Sequence, residues 1–269
     1  MKPLRPHEIC LHRQQPGFTL VEIAIVLLIV AILLAGVLMP LSMQMELRRY
    51  ADTKKTMDQI NEALFGFALM NGRLPCPADR TIADGTANAG VERAACNTAA
   101  TQVGVIPWVT LNIPETDEWG GRFTYRVSSI FAQPIAGASY DCVPPVDPTQ
   151  ASFALCASGD MQVESRTTGK VIHYLTNATV PAVFISHGKN GYGAYGPQGT
   201  VVHSVTNGTN EYTNANPATT FISREKTDAS SPCNDTPGSS GPMCEFDDLV
   251  AWIPLTTLMN RMVVSGKLP

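Results

Sequence analysis

Residues 17–45 read Gly17-Phe18-Thr19-Leu20-Val21-Glu22 followed by IAIVLLIVAILLAGVLMPLSMQM, and this stretch constrains everything after it. From Ile23 to Met45 no charged residue occurs for 23 positions, which exceeds the roughly 20 apolar residues that cross a hydrocarbon core as a helix. Before it lies a leader, residues 1–17, with Lys2, Arg5 and Arg13 against Glu8; after it come Glu46, Arg48 and Arg49. A secretory signal peptide has an apolar core of about 7–15 residues and then a small-residue cleavage site. Here the run is longer and its far end, Leu38-Met39-Pro40-Leu41-Ser42, offers no such site. The stretch therefore reads as a retained membrane helix over residues 18–45. Glu22 is the exception within it, because a carboxylate inside a membrane helix is costly and calls for a partner or a function.

Composition narrows the rest. The chain has 269 residues, 44% hydrophobic and only 16% charged, with 21 Gly and 20 Pro. That is too apolar for disorder, and the charge content is below the roughly 25% of an average soluble domain. A net charge of −4 gives no basic surplus for nucleic acid. Only one segment is long and apolar enough to span a bilayer, so a polytopic membrane protein is excluded. No phosphate-cradling loop, nucleophile elbow or paired-histidine zinc helix occurs. His173, His187 and His203 each fall on a strand or its end, and Ser186-His187 are strand neighbours whose side chains should point to opposite faces. The chain reads as a non-enzyme with no catalytic residue.

The hexapeptide Gly17–Glu22 and the apolar helix after it resemble the N-terminal signal of type IV pilins and type II secretion pseudopilins. The resemblance implies that a prepilin peptidase and N-methyltransferase cuts after Gly17 and methylates the new N-terminal Phe18. It also implies that Glu22, the fifth mature residue, serves assembly. The physics is consistent: N-methylation preserves the amine's positive charge, and a carboxylate buried in a bundle of helices is tolerable when paired. The implied fold is α+β and pilin-like, a long N-terminal helix packed on an antiparallel sheet with disulfide-closed loops. Its first half spans the membrane and its second half, residues 46–72, is amphipathic; Met57, Ile60, Leu64 and Phe67 form the apolar stripe. Asn71-Gly72 ends the helix, and residues 73–269 form the head.

Within the head, 121–130, 170–175, 180–186, 200–205 and 250–253 read as strands, 103–109 as an extended stretch and 255–264 as a final helix. Residues 72–118 and 207–245 are mostly loop. Seven cysteines occur; Cys10 lies in the leader, which leaves Cys76, Cys96, Cys142, Cys156, Cys233 and Cys244 in the mature chain. An even set in an exported head points to disulfides. Spacing does not choose among the pairings; the sequential set 76–96, 142–156 and 233–244 is expected because each pair closes a short loop.

Two further stretches extend the resemblance. Asp117-Glu118-Trp119-Gly120-Gly121 is similar to the D-x-W-G lead-in of major pseudopilins, and Ser186-His187-Gly188-Lys189-Asn190-Gly191 to their S-x-G-x-[DN]-G turn. Those pseudopilins bind calcium near that turn, but Lys189 stands where an acid would help. The expectation is no cofactor and no metal, with Asp235, Glu245, Asp247 and Asp248 forming a solvated loop face rather than a calcium site. The expected function is a structural, minor subunit of a type IV pilus or a type II secretion pseudopilus. It would sit in the bacterial inner membrane with its head in the periplasm, then join other pilin or pseudopilin subunits in the filament. The alternative is an adhesive or ligand-binding tip protein that works through residues 73–118 and 207–245.

Overall fold

The computed structural model describes residues 17–135, 150–167, 172–177, 179–216 and 218–269, with side chains of 35–41 outside the description. The leader with Cys10, and Cys142, thus lie outside the described residues. The chain divides into one unit up to Arg48 and a second, Arg49–Pro269. Helix α1 covers Leu20–Asn71. In the first unit every described side chain from Gly17 to Leu34 is exposed, apolar ones included. The membrane span expected over 18–45 is not obtained as such: among the described residues no helix is long and apolar enough to cross a membrane. The apolar run passes through 35–41, so the described part of it stops short of a bilayer's width.

In the second unit α1 buries Met57, Ile60, Leu64, Phe65 and Ala68. The expected stripe is corrected at its end. Phe67 is half-buried and packs under the Arg73 guanidinium, while Phe65 takes the core position. The helix stops at Gly72, whose φ of +67° is left-handed. A Cβ there would run into the Gln150 carbonyl, so the turn needs glycine for both reasons.

The main sheet holds β1 (Val103–Val105), β2 (Thr124–Val127), β5 (Ala182–Ser186) and β7 (Leu249–Ile253) in the order β1-β2-β5-β7, antiparallel throughout. Tyr125 lies opposite Phe184, and Phe184 opposite Ala251. Phe123, Tyr125, Val127, Ala182 and Phe184 join the core that α1 packs on. Val183 and Ile185 point the other way, into a second cluster with Met161, Val163 and Phe221. Strand β5 is thus covered on both faces, which is why AVFIS is an uninterrupted apolar run rather than an alternating one.

The second cluster packs on a second sheet, of which the sequence reading had only the strand at 170–175, observed as Ile172–Tyr174. That sheet has the order β4-β3-β6, with β3 at Gln162–Arg166, β4 at Ile172–Tyr174 and β6 at Thr220–Ile222. The β3–β6 pair is parallel, in a sheet apart from the antiparallel main sheet on which α1 packs as expected. Antiparallel neighbours can be joined by a tight hairpin, whereas a parallel pair needs a long crossover; here the crossover runs through β5 and the 207–219 excursion. That excursion also carries a short helix, α4 (Asn210–Ala215), capped by the Thr209 hydroxyl. The expected strand at 200–205 reduces to single bridges at Val201 and His203. The extended stretch at 103–109 becomes β1 followed by a turn of helix, α2 (Trp108–Leu111). Strand 121–130 likewise ends early, in α3 (Ser129–Ala132), whereas the final helix α5 occupies Leu255–Val264.

One buried cation fastens the loops around this frame. The wholly buried Arg122 side chain pairs with Glu115 and donates to the carbonyls of Arg80, Ile82 and Pro197. Its guanidinium lies 4.5 Å from the Trp108 ring centre. Two disulfides, Cys76–Cys96 and Cys233–Cys244, close loops in the same head. Both match the sequential pairing. The third expected bridge, 142–156, falls partly outside the described residues; Cys156 is itself disulfide-bonded.

Candidate functional site

At the start of α1, Phe18 is 84% exposed and Gly17 has open space around its α-carbon. Thr19 caps the helix. Its hydroxyl accepts from the Glu22 amide at 3.2 Å, while a Glu22 carboxylate oxygen accepts from the Thr19 amide at 3.0 Å and the Thr19 hydroxyl at 2.9 Å. This reciprocal arrangement is a capping box, which satisfies backbone donors that have no partner within the helix. The T-x-x-E spacing carried that signal in the sequence, and it was not read there. Gly17, Phe18 and Glu22 are therefore gathered at one exposed helix end.

In the head, the two motif stretches meet. Asp117 accepts from the amides of Trp119 and Gly121 through Oδ1 and from the Ser186 hydroxyl through Oδ2, at 2.6 Å. Burial pushes the Asp117 carboxyl above its ordinary value, against the pull of these hydrogen bonds. His187 goes elsewhere: Nε2 is 2.8 Å from the Thr124 hydroxyl and Nδ1 is 3.3 Å from Asp248 Oδ1. Ser186 and His187 thus serve separate contacts. His203 Nδ1 meets the Asn190 carbonyl, and His173 is exposed on β4.

Beyond the turn lies an acidic cluster. The amides of Lys189 and Asn190 both donate to Asp247 Oδ2 at 3.0 Å. Gly188, at φ +59°, is the residue that permits this approach, because a Cβ would collide with the Asp247 carboxylate. Glu211, on α4, accepts from the Asn190 side chain at 2.8 Å and from the Asp247 amide at 3.0 Å, both on Oε1. Asp248 Oδ2 accepts from Asn214, whose side chain also brackets Ile222 of β6. One carboxylate oxygen from each of Glu211, Asp247 and Asp248 lies within 4.8 Å of the others. Burial and then the negative charge of Asp248 push Glu211 up to about 8 and Asp247 up to about 6.

The expectation of a solvated acidic face is corrected for two of its four members. Asp248 is buried in this cluster, and Asp235 is buried 25 residues along the chain from the Asn210 amide that it caps. Asp235 also accepts from the Cys244 amide, so it belongs to the disulfide loop and not to the cluster. Glu245 is half-buried and lines a pocket of about 160 Å³ with Tyr192, Thr209, Glu211, Cys233 and Cys244. Glu211 was missed because it is 36 residues from Asp247 and no spacing links them. The donors present suit calcium: all are hard oxygens, and Asp247 Oδ1 and Asp248 Oδ1 are buried without a hydrogen-bond partner.

Comparison with known families gives a match to the prokaryotic N-terminal methylation motif over residues 12–38, the signal of type IV prepilins and pseudopilins. No curated protein and no solved structure matches the chain.

Proposed function

We propose that the protein is a minor structural subunit of a type IV pilus or a type II secretion pseudopilus. The methylation motif at residues 12–38 carries this reading, and the exposed apolar side chains that follow it on α1 support it. Prepilin peptidase cuts after Gly17 and methylates Phe18. The uncharged run Ile23–Met45 holds the subunit in the bacterial inner membrane, with the disulfide-closed head on the periplasmic side. On assembly the helix leaves lipid and packs among other pilin or pseudopilin subunits, where the Glu22 carboxylate pairs with a neighbour's Phe18 amine. The size of the head, nearly 200 residues after the helix, suits an occasional subunit better than a repeating one.

The test is mass spectrometry of the N-terminus of protein recovered from host membranes and sheared filaments. N-methylated Phe18 is expected in both, and an intact Met1 start would reject the reading. Replacing Gly17 with a bulky residue should block processing while leaving the protein inserted.

A further inference from the structure

We infer that the pocket between α4 and the Cys233–Cys244 loop binds a primary alkylammonium group, such as the end of a lysine side chain, through Glu211 and Glu245. The inference concerns the head alone and stands whether or not α1 enters a filament.

The lining of the pocket combines two chemistries. Glu211 and Glu245 contribute to it with no basic residue beside them among the described residues, and Val205, Ala229, the disulfide and the Tyr192 ring supply apolar surface. An inorganic cation would use the acids alone, whereas a methylene stem with a charged end uses both. The face of a tyrosine ring also attracts an ammonium group. At about 160 Å³ the pocket is smaller than the roughly 300–1,000 Å³ of drug-sized sites. It suits one short chain end.

Neither acid has a basic partner among the described residues. Glu245 is half-buried, and its carboxylate takes no hydrogen bond there. Glu211 is 2% exposed and takes both of its hydrogen bonds on Oε1, from the Asn190 side chain and the Asp247 amide, so Oε2 has none among the described residues. The neighbouring buried cation, Arg224, is committed elsewhere: it lies 3.7 Å from Asp235, donates to the Cys244 carbonyl and stacks over Phe246.

The surroundings hold the pocket open in one shape. Asn190 sets two of its parts at once, because its side-chain nitrogen donates to Glu211 while its side-chain oxygen accepts from the Tyr192 amide. Asp235 fastens the start of α4 to the disulfide loop by accepting from the Asn210 and Cys244 amides. The Ser230 hydroxyl donates to the Met243 carbonyl and ties a further part of the lining to that loop. With these links made in advance, little ordering cost is left for binding.

The test is calorimetric titration of the full-length protein, purified in detergent, with n-butylammonium chloride and with Nα-acetyl-lysine N-methylamide. At about pH 8.5 the alkyl amines remain charged, and Glu211, raised to about 8, is ionised. One site per chain is expected with a Kd on the order of 1 mM, within reach of a five-atom ligand. Ammonium chloride keeps only the charge and Nα-acetyl-norleucine N-methylamide only the stem, and each should bind at least tenfold more weakly. Glu245→Gln should weaken both amines at least fivefold with an unchanged melting temperature, since it breaks no described contact. Tyr192→Ala should weaken them through the lost ring. Tighter binding of the lysine amide than of butylammonium would identify the lysine of a protein partner, and equal binding a free amine. No binding of either amine at about ten times the expected Kd would overturn the inference. Ammonium that matches butylammonium, or wild-type affinity in Glu245→Gln, would overturn it as well.

Discussion

Glu22 folds back onto Thr19, closing the first turn of α1 with hydrogen bonds in both directions. The acid therefore has a local task that needs no neighbouring subunit. The two roles differ in what they demand of the side chain. A capping box accepts Gln as readily as Glu, because it uses an acceptor oxygen. Pairing with a charged amine uses the negative charge itself.

Glu22→Gln and Glu22→Ala separate these roles. Both variants should insert in the membrane at least as well as wild type. In filaments, Glu22→Ala should be depleted about 10²–10⁴-fold, the equivalent of the roughly 3–5 kcal/mol lost when one partner of a buried pair is removed. Glu22→Gln should fall between, retaining the cap without the charge. The quantity to measure is subunit in sheared filaments normalised to its membrane level. Wild-type incorporation of Glu22→Gln would assign the residue to helix capping alone.

The described bridges and the bonded Cys156 predict a mature head without free thiols. Thiol counting on denatured, processed protein from an oxidising compartment should give none per chain. Two or more would reject the three-bridge arrangement. Reducing the bridges should cost about 2–4 kcal/mol each where the loop closed is short.

Arg122 offers a stability test remote from either site. It satisfies three carbonyls and Glu115 while wholly buried beneath Trp108. Arg122→Met should destabilise the head by about 3–5 kcal/mol, because Glu115 and the carbonyls are left without their partner. Arg122→Lys should recover only part, since an ammonium cannot reproduce the planar fork. Denaturant melts of the two variants should rank in that order.

What the sequence revealed follows from which signals are local. The helix end at Asn71-Gly72, the strands at 182–186 and 249–253, and helix Leu255–Val264 each rest on a run of neighbouring residues. Strand β3 escaped notice because QVESR carries charge at buried Glu164 and half-buried Arg166, which pair with each other two residues apart. Strand β6 is three residues long and acquires its identity from a parallel neighbour 58 positions away. The same holds at the candidate sites. Gly17, Phe18 and Glu22 fall within one hexapeptide, so a motif can single them out. No motif singles out Glu211, since its place beside Asp247 exists only after α4 has docked. Asp235 looked like a loop acid and is a buried cap, because one amide donor comes from Asn210, 25 residues away, and the other from Cys244 within its own disulfide loop.

The acidic cluster predicts how stability should change with pH when the protein is kept in chelator. Folding raises Glu211 from its ordinary 4.5 to about 8 and Asp247 from 3.8 to about 6. Between each pair of values the folded chain holds a proton that the unfolded chain has released. Stability must therefore fall as pH rises, by up to about 1.4 kcal/mol per pH unit for each such proton. The contribution is fully present below about 4 and is lost through about 8. Arg224 and Lys226 lie near these acids and soften the effect by favouring the charged carboxylates. Glu62, held low by Arg261, titrates below this window and does not mask it. Melting temperature in chelator should accordingly decline from pH 5 to about pH 8 and then level off. Glu211→Gln should remove the upper part of the decline, above about pH 6, and leave the lower part that belongs to Asp247. A melting temperature that rises across the window in chelator would mean that these carboxylates are not crowded in the folded head.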